Sequence, residues 1–130
     1  MILINTEQVK ELHEEIIDNT SGSHGIRDEG LLDAALASAR QSFGGDDLYP
    51  TVTAKIARIA YGIIRNHPFV DGNKRIGTHV MMVLLKMNNI NVNFTDNEIV
   101  EIGLGIATGK MNDSQLNDII LIKWRDSSRN

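Results

Sequence analysis

Nine consecutive residues, His67-Pro68-Phe69-Val70-Asp71-Gly72-Asn73-Lys74-Arg75, hold a histidine, a carboxylate, a glycine-asparagine turn and two adjacent cations. Histidine is the side-chain type that exchanges a proton near neutrality, which makes His67 the candidate general base. Asp71 is a hard oxygen donor suited to a Mg2+ that accompanies a nucleotide. Fully extended, four residues would separate the Cα atoms of His67 and Asp71 by roughly 13 Å. The segment must therefore curl for both to serve one phosphate group, and Gly72 and Asn73 are types that tolerate left-handed dihedrals. A helix beginning just beyond the curl offers free backbone N–H groups to an anion. Lys74 and Arg75 sit at the end of that helix where cations are disfavoured by the dipole, so an arriving anion, phosphate above all, is expected. Phe69 is the expected anchor of the loop. Taken singly, the histidine could be a cap, Asp71-Gly72 a plain turn and Lys74-Arg75 a solvated pair; their concentration favours a site.

The elements that must position this loop read as helices. Asn5 or Thr6 with Gln8 suggests a capped first helix that carries Val9, Leu12, Ile16 and Ile17 on one face. A loop over Asn19 to Gly25 follows, then Asp28 as a cap and an apolar stripe Leu31, Leu32, Ala35, Leu36, Ala39 and Phe43. Gly44-Gly45-Asp46-Asp47 reads as a turn that ends this helix. A third helix, Thr53 to Asn66, is apolar around much of its circumference and belongs in the middle of the core. It must stop near Asn66, because Pro68 disfavours helical dihedrals at His67. A fourth helix spans Arg75 to Met87. Ile90 to Phe94 alternates like a short edge strand or an extended connection. Thr95 with Glu98 caps a fifth helix that stops at Gly109, and Asn112 with Gln115 starts a sixth that uses Leu116, Ile119, Ile120 and Lys123 or Trp124. His13, His24 and His79 read as surface or helix-packing residues. The expectation is one all-α domain over residues 1–130, of about six helices, with a central buried helix pair flanking the loop.

Composition agrees with a folded, soluble chain. Of 130 residues 42% are hydrophobic and 23% charged, with two prolines. The net charge is −4 and the 13 Lys and Arg are scattered, which argues against direct nucleic-acid binding. Without cysteine, thiolate chemistry and Cys-type zinc sites are excluded. No signal-peptide pattern opens the sequence and no apolar run is long enough for a bilayer, so no membrane association and a cytoplasmic location are expected.

The nine residues resemble the core motif of the Fic/Doc (Fido) superfamily, H-x-F-x-D/E-G-N-G-R-x-x-R, and specifically its death-on-curing toxin branch. Lys74 stands where most members carry the second glycine of the motif and Thr78 where they carry the last arginine; both departures are typical of that branch. Gly25-Ile26-Arg27-Asp28, Gly30-Leu31-Leu32, Phe43-Gly44-Gly45, Asp47-Leu48-Tyr49-Pro50 and Ala107-Thr108-Gly109 extend the resemblance over nearly the whole chain.

The resemblance implies an all-α Fido fold and a bacterial toxin–antitoxin context. His67 would activate a substrate hydroxyl, Asp71 would bind Mg2+, and Gly72, Asn73, Lys74 and Arg75 would hold nucleotide phosphates, with Arg65 at a further basic position. Ser23, His24, Gly25, Ile26 and Arg27 would form the flap that aligns a target peptide. Members with glycine at the Lys74 position transfer AMP from ATP. Death-on-curing proteins are understood to transfer the terminal phosphate instead, with elongation factor Tu as target and translation arrest as outcome. The self-inhibitory pattern S/T-x-x-x-E-G/N fails here, since Gly25 occupies the Ser/Thr position before Glu29-Gly30; control by a separate antitoxin is expected. The alternatives are an AMP transferase and an inactive Fido domain kept as a binding or regulatory module.

Overall fold

The structure, a computed structural model, describes residues 1–127. Among these are six α-helices: α1 (Thr6–Asp18), α2 (Glu29–Ala37), α3 (Val52–Asn66), α4 (Asn73–Met87), α5 (Asp96–Ala107) and α6 (Asp113–Ser127). Local chemistry sets most of their starts. Asn5 with Gln8 and Thr95 with Glu98 form reciprocal capping boxes, and Asp28 and Thr51 each accept an N–H from the first turn of α2 and α3. Asn112 and Gln115 exchange the same pair of bonds at α6.

Helix α3 runs through the middle and packs against α2, α4, α5 and α6. Its Ile56, Ala57, Ile59, Ala60, Ile63 and Ile64 are buried and meet Ile76, Val80, Met81, Leu84 and Leu85 of α4. Burying each large aliphatic side chain stabilises the fold by about 1.5–3 kcal/mol, before the ordering cost is counted. The pair approaches closely at Gly77, where an added Cβ would lie 2.5 Å from Ile64 Cγ1. These two helices bracket the nine-residue loop, as the apolar patterning required.

The segment before α3 departs from the expected helix. Helix α2 stops at Ala37, a 3-10 turn covers Ser38–Arg40, and the chain enters a hairpin of β1 (Ser42–Phe43) and β2 (Asp46–Asp47). Gly44 and Gly45 both take positive φ, at 60° and 88°, as a two-residue hairpin turn demands. Phe43 is therefore no part of the α2 stripe and stands 81% exposed. Residues 90–94 form an extended connection without strand pairing, although Ile90 and Val92 are buried. Among the described residues, no helix is long and apolar enough to cross a membrane.

Candidate functional site

The loop curls through two left-handed residues. His67 ends α3 with φ 51° and ψ 54°, and Gly72 precedes α4 with φ 77° and ψ 19°. Gly72 adopts this freely, whereas a non-glycine residue there costs about 1–2 kcal/mol, so His67 needs support from its surroundings. Asn73, expected to share the curl, is instead the first residue of α4. Its side chain is buried and closes the loop on itself: Oδ1 accepts from the Phe69 N–H and Nδ2 donates to the Phe69 carbonyl, both at 2.9 Å. Both polar ends of Asn73 are thus committed to Phe69, and its backbone amide lies at the start of α4.

Starting α4 at Asn73 brings Lys74 and Arg75 into its first turn. No side chain caps this helix, so the amides of residues 73–75 have no intrahelical acceptor and can meet an anion. Lys74 and Arg75 are exposed, and they line a cleft of about 930 Å³ with His67, Asp71, Gly72 and Thr78. Thr20, Ser21 and Gly22 after α1 close one side, and Ile99, Val100, Gly103 and Leu104 of α5 form an opposite, largely apolar wall. This is the size of a small-ligand site, with polar groups converging on a partly apolar pocket. Gly103 lets α5 come close to the base of Lys74, since an added Cβ would lie 3.3 Å from Lys74 Cβ.

Asp71 faces the cleft with both carboxylate oxygens in use. Oδ2 accepts the Ser23 N–H at 3.0 Å and Oδ1 the Gly72 N–H at 2.8 Å. The Ser23 amide first, then the Gly72 amide, hold the carboxyl below its ordinary range, with the Arg75 and His13 side chains acting in the same direction. An ionised, exposed carboxylate with lone pairs to spare fits Mg2+, which takes one or two protein carboxylates and completes its shell with water and phosphate oxygens. Among the described residues no group of three or more His, Asp or Glu side chains is placed to hold a metal ion.

The flap lies along the loop as an antiparallel partner. Ile26 bridges to Phe69, the Val70 N–H donates to the Gly25 carbonyl at 3.0 Å, and the Arg27 N–H donates to the Pro68 carbonyl at 2.7 Å. Ser23 reaches Asp71 only through its amide, and exposed His24 pairs with Asp18 at 2.9 Å. Arg27 turns toward the loop and bonds the carbonyls of Asn66 and His67. The cleft wall on this side is therefore Thr20 to Gly22, with residues 23–27 bracing the loop from behind. Arg65 is not among the cleft-lining residues; its Nη1 donates to the carbonyls of Ile106 and Ala107, both at 3.3 Å, and closes the end of α5.

The Fic/DOC family profile matches residues 3–85, which takes in α1 to α3, the whole loop and α4 but for its last two residues. The chain belongs to the Fic/DOC family. It is similar to Toxin Doc of Mycolicibacterium smegmatis, 40% identical over 65 residues that cover half of each chain. It is also similar to Protein kinase doc of Escherichia phage P1, 25% identical over 117 residues, 90% of this chain and 91% of that protein. The Fido-type fold expected from the motif, helical but for one small hairpin, is the fold observed.

His13, expected as a surface or helix-packing residue, packs directly under this Fic/DOC loop. His13 is buried, its ring stacks on Phe69 with centroids 3.8 Å apart, and its Nε2 lies 2.7 Å from the Asp71 carbonyl oxygen. A carbonyl can only accept, so Nε2 carries the proton and donates. The available signal was spacing: His13 falls midway between Val9 and Ile17, buried positions at four-residue intervals along α1. Gly22 contributes by absence, since a Cβ there would stand 2.9 Å from Asp71 Oδ2 and 2.9 Å from Ile17 Cδ1.

Proposed function

We propose that the protein is the toxin of a bacterial toxin–antitoxin pair and transfers the terminal phosphate of ATP to a Ser or Thr hydroxyl of elongation factor Tu, arresting translation in the cytoplasm. The observation that carries this reading is the uncapped start of α4, where three amides, Lys74 and Arg75 face one cleft with His67 and Asp71. A helix N-terminus with two cations suits phosphate oxygens, and the apolar wall on α5 suits the remainder of a nucleotide.

In this scheme His67 accepts the proton of the substrate hydroxyl as that oxygen bonds to the terminal phosphorus. The bond from the terminal phosphorus to its bridging oxygen breaks, and ADP leaves with the bonding pair. Lys74 and Arg75 hold the phosphate charge while these bonds exchange, which is the main protein contribution to phosphoryl transfer. Mg2+ held by Asp71 would supply further neutralisation of the phosphate oxygens. Lys74, at a position where glycine accompanies AMP transfer, favours movement of the terminal phosphate. The flap suits an extended target. Arg27 N–H and the Gly25 carbonyl point to the loop, so the Ile26 N–H and carbonyl between them face the other way, open to another strand. The names of the two relatives, a toxin and a protein kinase, agree with this reading. A cognate antitoxin follows from the toxin reading and from the missing self-inhibitory motif.

The test is to incubate the protein with purified elongation factor Tu and ATP labelled at the α or the γ phosphate. Label on the target from the γ position only is expected, and its loss in His67→Ala. Retention from the α position would replace the proposal with AMP transfer. No label from either, together with no growth arrest on expression, would leave the non-enzymatic module.

A further inference from the structure

We infer that Arg27 is a positioning residue for His67, a role that rests on the reading of His67 as the base. Arg27 supplies three donors to three successive carbonyls at the end of α3. Its Nη2 bonds Asn66 at 2.8 Å, its Nε bonds His67 at 2.7 Å, and its backbone N–H bonds Pro68 at 2.7 Å. These carbonyls close a helix whose last turn lacks the glycine that would take a left-handed conformation without strain; His67 takes it instead, at φ 51°. Strained non-glycine backbone persists where its surroundings over-determine it, and the two side-chain bonds of Arg27 fall on the residue concerned and its neighbour.

The planar guanidinium matters as a shape. Its Nε–H and Nη2–H lie side by side and nearly parallel in one plane and reach two adjacent carbonyls together, and its charge suits the negative end of α3. A lysine carries the charge but cannot fork. Arg27 therefore works behind the imidazole, through the backbone from which His67 enters the cleft, and its guanidinium is not free for a target peptide. The Ile26–Phe69 bridge and the Asp28 N–H, which bonds the Pro68 carbonyl at 2.9 Å, keep the flap backbone beside the loop independently of this side chain. The clamp on His67 can thus be removed without removing the flap.

The experiment compares wild type, Arg27→Ala and Arg27→Lys by two readouts, after thermal melts have established that each is folded. The first is the pair of 13Cα and 13Cβ chemical shifts of His67, which report its backbone conformation without any turnover. The second is phosphate transfer to elongation factor Tu, with kcat and the KM for ATP resolved, with and without added ethylguanidine. Both variants should move the His67 shifts away from left-handed values and lower kcat about 100-fold, the scale of a displaced reacting group, with KM for ATP within about twofold. Ethylguanidine should restore part of the rate in Arg27→Ala alone. Unchanged His67 shifts in both variants would overturn the inference, as would a wild-type kcat. If the shifts move but the wild type transfers no phosphate, the proposed reaction fails while the clamp stands.

Discussion

Replacing Asn73 separates a structural role from a phosphate-binding one. In Asn73→Ala the Phe69 N–H and carbonyl lose their partners, and both belong to a residue that is 2% exposed, next to a position that is 6% exposed. Each orphaned group costs about 1–3 kcal/mol. Because the loop borders a cleft and can relax toward water, the lower half of the combined range applies, about 2–4 kcal/mol. That is a large fraction of the 5–15 kcal/mol typical of a domain, and a shift in Tm of roughly 4 °C per kcal/mol accompanies it. The assay is urea unfolding of the ligand-free protein, with Lys74→Ala beside it: Lys74 is exposed, and its variant should stay within about 0.5 kcal/mol of wild type while losing ATP affinity. Asn73→Asp adds a pH signature. A carboxylate there can accept from the Phe69 N–H but repels the Phe69 carbonyl, so burial and repulsion raise its folded pKa above the unfolded value. Protonated, it can donate and accept as the amide does. Its stability relative to wild type is therefore recovered at low pH and lost as pH rises through the folded pKa. A ligand-free Asn73→Ala within about 0.5 kcal/mol of wild type would refute the reasoning and return Asn73 to a purely phosphate-binding role.

Three further outcomes are expected. The Asp71 carboxyl, held low by the Ser23 and Gly72 amides, contributes stability that is present above its unfolded pKa of about 3.9 and lost as pH falls through the lower folded value. The Ser23 amide proton shift should titrate with a midpoint below about 3.9, and Asp71→Asn should abolish that titration. Gly77→Ala, whose new Cβ would lie 2.5 Å from Ile64 Cγ1 and 3.3 Å from the Ala60 carbonyl oxygen, should cost about 1–3 kcal/mol by forcing α3 and α4 apart, read from the urea midpoint. His13→Ala should cost about 2–4 kcal/mol, from the lost ring on Phe69 and the unpaired Asp71 carbonyl, and His13→Phe less because the stack survives. Equal losses in the two would show that the stack with Phe69 contributes nothing.

Much of the fold was legible because it is written in short-range chemistry. The caps at Asn5, Asp28, Thr95 and Asn112 are side chains bonding amides three residues on, and the stripes of α3 and α4 follow the helical period. The region around Phe43 was misjudged because its spacing continues the α2 stripe; two glycines that both need positive φ decided for a hairpin, and the aromatic ring was left in water. Within the site, His67, Asp71, Lys74 and Arg75 do share one cleft, since all four lie on one short loop and the first turn that follows it. Arg65 is expected to hold phosphate because it matches a basic position of the family that the loop resembles. On α3 it points instead to the end of α5, which no local pattern encodes.

The sequence by itself determined the family, most of the helical elements and the candidate residues for handling a phosphate, because each depends on residue types a few positions apart. Tertiary structure alone decided how those residues are held. The Asp71 carboxylate is tuned by an amide 48 positions away, His67 is clamped by a guanidinium 40 positions away, and the Asp71 carbonyl is bonded by a histidine 58 positions away. Such contacts arise only when α1 and the flap pack against the loop between α3 and α4. Their energies come from donors that meet acceptors across the fold, which local spacing does not record.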